Sequence, residues 1–232
     1  MKAKKLMRKL SLSEKDLADI KDAVANAEKK TNGEIALAAT GESSDYSFFE
    51  LFASVLLGAV CFAFLLVFSA RIEALIGRLF WDEKTWYLPA FFGFAEFAVI
   101  GLFFCFANIP AIDRIVIPHP VRKAMVYNRA LRHFVESGTY ETKDHTGILI
   151  FISWMEREVR IVADAGINSK IEQKEWDEIA QTLASGIREK ETAASLVSVI
   201  SKCGDLLEKH FPAKKENPNE LPDGLLILEA GE

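Results

Sequence analysis

Three acids near the middle of the chain are the candidates for metal chemistry. Asp144 stands just before the apolar run "TGILIFIS", Glu156 lies in the "WMER" turn after it, and Asp164 ends the next run, "EVRIVAD". Carboxylate oxygens are the ligands that Ca2+ and Mg2+ prefer, so a convergence of the three would make a divalent-cation site. The spacing works against it: residues 156 and 164 stand at opposite ends of a strand of ~25 Å or less, at ~3.3 Å per residue. Solvated turn and strand-end acids are the plainer expectation. Arg157 offers a planar guanidinium suited to a carboxylate or phosphate, or is a solvated turn residue. His119, His133 and His210 stand alone and read as structural or surface residues. Phosphoryl transfer needs a nucleophile or metal-bound water together with cations on the transferred oxygens. The chain has no G-x-x-x-x-G-K-[ST], H-E-x-x-H, G-x-S-x-G or Asp-x-Asp pattern to supply them. No cofactor is required by these residues, and Ca2+ or Mg2+ is the one kind that they could take.

A fourth acid, Glu96, has a different setting. It is the only charged residue in "YLPAFFGFAEFAVIGLFFCFANIPAI" (87–112), and "LFASVLLGAVCFAFLLVFSA" (51–70) contains no charge at all. About 20 apolar residues suffice to cross a ~30 Å hydrocarbon core as a helix. Both runs qualify, and Trp81 and Trp86 between them suit an interface. Residues 48–112 therefore read as a transmembrane hairpin in contact with the lipid bilayer, through which copies could also associate. Glu96 is then a proton or ion site, which would suit a small oligomeric channel or transporter, or a protonated or interface-facing acid. The connecting loop carries Arg71, Arg78 and Lys84, whereas the stretch after the second run carries Arg114, Arg122, Lys123, Arg129 and Arg132. That bias, the basic start "MKAKKLMRKL" and the lack of a secretory leader place both termini in the cytoplasm of a multi-pass protein of the inner (plasma) membrane.

The remaining sequence reads as one α/β domain cut in two by the hairpin. Residues 1–10 read as a basic tail, solvated or drawn to an anionic leaflet. In residues 11–42, Ser11 and Glu14 have the spacing of a capping box. Leu17, Ile20, Val24 and Ala27 repeat at helical spacing, and "EIALAAT" (34–40) is a short strand. In residues 119–229, a helix over 120–137 carries Ala124, Tyr127, Leu131 and Phe134 on one face. The continuously apolar strand 146–153 suits a place covered on both sides, and 158–164 alternates as its hairpin partner. Two amphipathic helices follow, around Trp176–Ile187 and Leu196–Leu207, and "LLILE" suits an edge strand. Neither part alone holds a complete core, so strand 34–40 is expected to pair, in parallel, with the sheet around 146–153. The net charge of −5 gives no footprint for nucleic acid. Cys61, Cys105 and Cys203 form no disulfide or metal pattern.

Gly147-Ile148-Leu149, Glu156-Arg157, Val159-Arg160-Ile161 and Gly166-Ile167, with "TNGEIAL" (31–37), resemble the strand, turn and strand-end signature of the TPM domain. "HTGILIF", "ADAGI" and "NELPD" resemble a bacterial subgroup of its membrane proteins with two spans. The resemblance implies a three-layer α/β/α domain with a mixed sheet. It also implies either of two activities, divalent-metal binding or acid phosphatase. The chain departs from the family pattern at Glu156, where Asp is usual, at Asp164, where Gly is usual, and at "NSKIEQ", which replaces Leu-Thr-Asp. Two readings follow. One is a membrane-anchored, non-catalytic interaction or auxiliary module with a membrane-protein partner at the cytoplasmic face; the other is a membrane-bound, metal-dependent acid phosphatase.

Overall fold

A computed structural model describes residues 3–80, 84–107, 109–214 and 219–231. Two short helical segments open the chain, α1 (Ala3–Lys9) and α2 (Glu14–Glu28), followed by strand β1 (Glu34–Thr40). Helices α3 (Ser47–Val67), α4 (Ser69–Leu79), α5 (Tyr87–Ala107) and α6 (Pro110–Val116) come next. The chain continues through α7 (His119–Glu136), β2 (Gly147–Ser153), β3 (Glu158–Ala163) and α8 (Ala165–Asn168). It closes with α9 (Gln173–Arg188), α10 (Thr192–His210) and β4 (Leu225–Leu228). These elements form two compact units: residues up to Asp45 together with those from Pro120 onward, and Tyr46–His119.

In the first unit the sheet runs β3-β2-β1-β4. Strand β1 pairs in parallel with β2 from Glu34↔Gly147 to Thr40↔Ser153, as the sequence leads one to expect. Its other edge takes β4, also in parallel, and β2 and β3 form an antiparallel hairpin. The parallel β1–β2 connection needs a crossover, and α7 covers the sheet on the way. Every residue of β2 is buried. Its Ile148, Ile150 and Ile152 join the larger core with α1, α2, α9 and α10. Its Leu149 and Phe151 face the other way, onto Val126, Ala130 and Phe134 of α7. The architecture is three-layered, α/β/α, with a mixed sheet. The two separated parts of the sequence are also bonded to each other at a loop: Thr31 Oγ1 and Asn32 N both donate to the Phe211 carbonyl, at 2.6 and 2.9 Å.

Three local expectations are corrected. Residues 3–10 are not a solvated tail, since Leu6 and Leu10 are buried in the main core while Lys4, Lys5 and Arg8 stay exposed. The capping box belongs to Ser13 and Asp16, not Ser11 and Glu14: Ser13 N donates to Asp16 Oδ2 at 2.7 Å, and Asp16 N donates to Ser13 Oγ at 3.2 Å. Both pairs fit the S-x-x-[DE] spacing, and the burial of Leu10 and Leu12 decides between them by turning the chain at Ser11, where φ is +56°. On α7 the buried face is Val126, Ala130 and Phe134, with Arg129, while Tyr127 and Leu131 are exposed. Val126, Ala130 and Phe134 share a buried cluster with Ala38 of β1 and Leu149 and Phe151 of β2, whereas the bulkier Tyr127 stays outside.

In the second unit, α3 and α5 pack along one another in opposite directions: Gly58 meets Glu96 and Ile100, and the Phe62 and Phe92 rings meet edge to face at 6.0 Å. The helices begin and end at slightly different residues from those expected: the first runs from Ser47 to Val67 and the second from Tyr87 to Ala107. The polar link between them is itself partly helical, as α4; Trp81 lies outside the described residues.

Gly147 starts β2 under the backbone of a 3-10 turn at Thr139–Glu141, and a Cβ there would lie 2.1 Å from the Thr139 carbonyl oxygen. Backbone cannot yield as a side chain can. Gly147→Ala is therefore expected to destabilise the protein by about 1–3 kcal/mol, measured by urea unfolding of the full-length chain in neutral detergent. Gly224→Ala, which meets nothing within 4 Å, should stay within about 0.5 kcal/mol.

Candidate functional site

The sheet separates the three candidate ligands. Asp164 follows the last residue of β3, and its N–H donates to the Gly147 carbonyl at the start of β2. Asp144 lies in the loop that leads into the same end of β2. Glu156 lies in the β2–β3 turn, at the other end. Asp144 and Asp164 therefore share a rim from which Glu156 is excluded. Among the described residues, no group of three or more His, Cys, Asp or Glu side chains gathers closely enough to hold a metal ion.

Each of the three carboxylates has work in its own place. Glu156 is almost fully buried. Its Oε1 accepts from Ser43 N at 2.8 Å and its Oε2 from Ser153 Oγ at 2.5 Å. Ser43 Oγ in turn donates to Ser153 Oγ at 2.8 Å. This ties the chain leaving β1 to the β2–β3 turn, in which Arg157 takes a left-handed backbone with φ +57°. Asp164 caps α8, its Oδ1 accepting from Ala165 N at 2.5 Å, and His145 Nδ1 lies 3.2 Å from its Oδ2. Asp144 accepts from Lys214 Nζ at 2.6 Å and from Asn32 Nδ2. Its bond with Lys214, and then that with Asn32, hold its carboxyl below the usual Asp range.

The same rim holds a pair of acids that periodicity alone does not single out. Glu28, at the end of α2, and Glu34, at the start of β1, are both buried. Glu28 Oε1 accepts from Ile35 N at 2.8 Å, and Glu34 Oε2 accepts from Leu221 N at 3.3 Å. Burial pushes the Glu28 carboxyl up to about 8, against the pull of the Ile35 N–H and with help from the charge of Glu34. Glu34 is raised as well, first by burial. The sequence signal was the position of Glu28, four residues after Val24 on the buried stripe of α2.

Glu96 of α5 faces α3 at the helix–helix contact. A Cβ on Gly58 would come within 2.6 Å of its Oε1, and its Oε2 is buried with no hydrogen-bond partner among the described residues. On α3 the buried residues are Glu50, Ser54 and Gly58, one per turn, with Ser54 Oγ donating to the Glu50 carbonyl at 2.6 Å. A stripe of small and polar residues between apolar helices is the usual contact surface of helices in lipid.

Two outcomes follow for the sheet rims. A carboxyl whose value rises on folding gives stability that is present below its unfolded value and lost as pH rises through the folded one. For Glu28 this window runs from its ordinary value of 4.5 up to about 8. Stability should fall between those values, and Glu28→Gln, which can still accept from Ile35 N, should flatten the fall when unfolding midpoints are compared from pH 5 to 8.5. At the other rim, Glu156→Ala leaves the buried Ser43 N–H without this acceptor and should cost about 1–3 kcal/mol, read by the same unfolding measurement.

Comparison with known proteins bears on the fold. The solved structure of BA42 protein from the psychrophilic bacterium Bizionia argentinensis is similar in fold, with a TM-score of 0.54 at 19% identity over 94% of this chain and 95% of that one. A search of curated proteins finds no match. Residues 114–206, which run from α6 through α7, β2, β3 and α9 into α10, match the family model described as the TPM domain. The likeness to the TPM domain thus lies in residues 114–206.

Proposed function

We propose that the protein is a membrane-anchored TPM-domain protein of the inner (plasma) membrane. In this reading α3 and α5 cross the bilayer as a hairpin and hold the α/β unit at the cytoplasmic face. There it serves as a non-catalytic interaction or auxiliary module for a membrane-protein partner.

One observation carries the anchor. Two 21-residue apolar helices leave most of their side chains outside: Val67, Phe94 and Phe97 are each more than three-quarters exposed, while α5 buries only Phe92 and Ala107 among its residues. A core helix of a soluble protein would show the reverse. In water such a surface would far exceed the apolar patches that soluble proteins tolerate; in hydrocarbon it is the favoured state. The orientation is supported by the basic residues, three in the link between the two spans against five in the stretch after the second. The auxiliary role is supported by the rim acids, since Glu156, Asp144 and Asp164 are engaged with Ser43, Lys214 and Ala165 within the unit itself.

Membranes washed with alkaline carbonate should retain the full-length protein; its release would overturn the anchor. In a cysteine-free background, Thr85→Cys should react with a membrane-impermeant maleimide in spheroplasts, and Glu189→Cys only after lysis. The opposite pattern would reverse the orientation.

A further inference from the structure

At the end of the sheet away from Asp144 and Asp164, a cavity of about 250 Å³ opens beside the β2–β3 turn. Four cations line it, drawn from three separate parts of the chain: Lys9 from the end of α1, Arg157 from the turn, and Arg188 and Lys190 from the end of α9. The one acid in the lining is Glu158. Such a gathering is unexpected in a chain of net charge −5, because like charges brought together repel. Arg157, Arg188 and Lys190 are exposed and make no ion pair among the described residues.

The backbone adds a second sign. Arg157 and Lys190 both have left-handed φ, +57° and +66°. Lys190 follows the C-cap of α9, a position where Gly is the usual residue. A side chain at either place carries a conformational cost that glycine would avoid, and both of these side chains are cations on the same cavity.

The rest of the cavity is not built for a bare ion. Trp154 forms one wall, with Lys9 Nζ 3.6 Å from its ring centre, and Ile152, Val159 and Ile187 make apolar lining. The chemistry that fits is a phosphate group held by guanidinium and ammonium donors, joined to a part that prefers apolar surroundings. Two sources have that chemistry, a phospholipid headgroup and a soluble phosphate ester. Lys9 belongs to a helix that also exposes Lys4, Lys5 and Arg8. Ser43, which is bonded to the Glu156 turn beside the cavity, precedes the first apolar helix by only four residues in the chain. Basic clusters next to a membrane span attract anionic lipid.

We infer that the Lys9–Arg157–Arg188–Lys190 cavity binds the phosphate headgroup of an anionic phospholipid, a proposal that rests on the membrane-anchored reading above. The test uses full-length protein in neutral detergent, titrated with dioctanoyl phosphatidylglycerol, dioctanoyl phosphatidylcholine or glycerol 3-phosphate. Trp154 emission is assigned by difference from Trp154→Phe. Phosphatidylglycerol should change that emission saturably, and R157Q/R188Q should weaken its binding on the order of 30-fold, at ~1 kcal/mol for each basic group removed. Unchanged urea midpoints for the variant would show that its fold is kept. Phosphatidylcholine binding as tight as phosphatidylglycerol, or R157Q/R188Q without effect, overturns the proposal. Glycerol 3-phosphate binding as tightly as the lipid overturns the lipid assignment in favour of a soluble phosphate ester. Because carbonate extraction does not depend on Arg157 or Arg188, a failed anchor and a failed headgroup site give different results.

Discussion

Strand β2 sets the terms for the rest of the soluble unit. Its seven residues are buried on both faces, and alternate side chains must find apolar partners in opposite directions. One helix layer cannot meet that demand. The larger layer, α1, α2, α9 and α10, covers Ile148, Ile150 and Ile152; α7 covers Leu149 and Phe151. Strand β2 also needs neighbours for its backbone groups on both edges, and β1 and β3 provide them. Since α2 and β1 precede α3 while α7, β2 and the other helices follow α6, the domain has to be assembled from both parts of the chain. An insertion between β1 and α7 is compatible with this because a parallel β1–β2 connection requires a long crossover in any case.

The two rims of the sheet differ in charge. At one, Glu28, Glu34, Asp144 and Asp164 gather where α2 gives way to β1 and where β2 begins, and burial holds Glu28 and Glu34 toward their neutral forms. At the other, Glu156 is enclosed by Ser43 and Ser153 while Arg157, Arg188 and Lys190 are exposed. The β2–β3 turn keeps its acid, Glu156, inward. What it presents outward is Arg157, on a backbone that favours glycine.

The helical unit follows a different physical rule. Many of its apolar side chains point outward, and the two long helices meet where Gly58 lies against Glu96 and Ile100 and Phe62 against Phe92. In the membrane-anchored reading proposed above, there is little hydrophobic gain from burying more leucine between helices in lipid, so close approach at small residues and polar contact would carry the association. Gly58 admits the Glu96 carboxylate at a distance that a larger residue would deny.

Much of this was legible in the chain alone, because the signals are local. Twenty apolar residues without a charge, a strand with no polar position, and helical spacing of Ile20, Val24 and Ala27 each follow from burial acting on one element at a time. So did the opposition of Glu156 and Asp164, which strand length alone dictates. The resemblance carried by Gly147, Arg157 and Gly166 has a steric source in part, as the Thr139 carbonyl over Gly147 shows. Choices between equal local patterns were not legible. Ser11 and Ser13 offer the same cap, and the burial of Leu10 and Leu12 selects Ser13. The face of α7 was set by the cluster that Val126, Ala130 and Phe134 form with the sheet, and α1 became core because Leu6 and Leu10 pack into the larger cluster. The buried Glu28–Glu34 pair and the four-cation cavity were hidden for the same reason. Their members are brought together from different elements, and only tertiary packing determines which distant charges become neighbours.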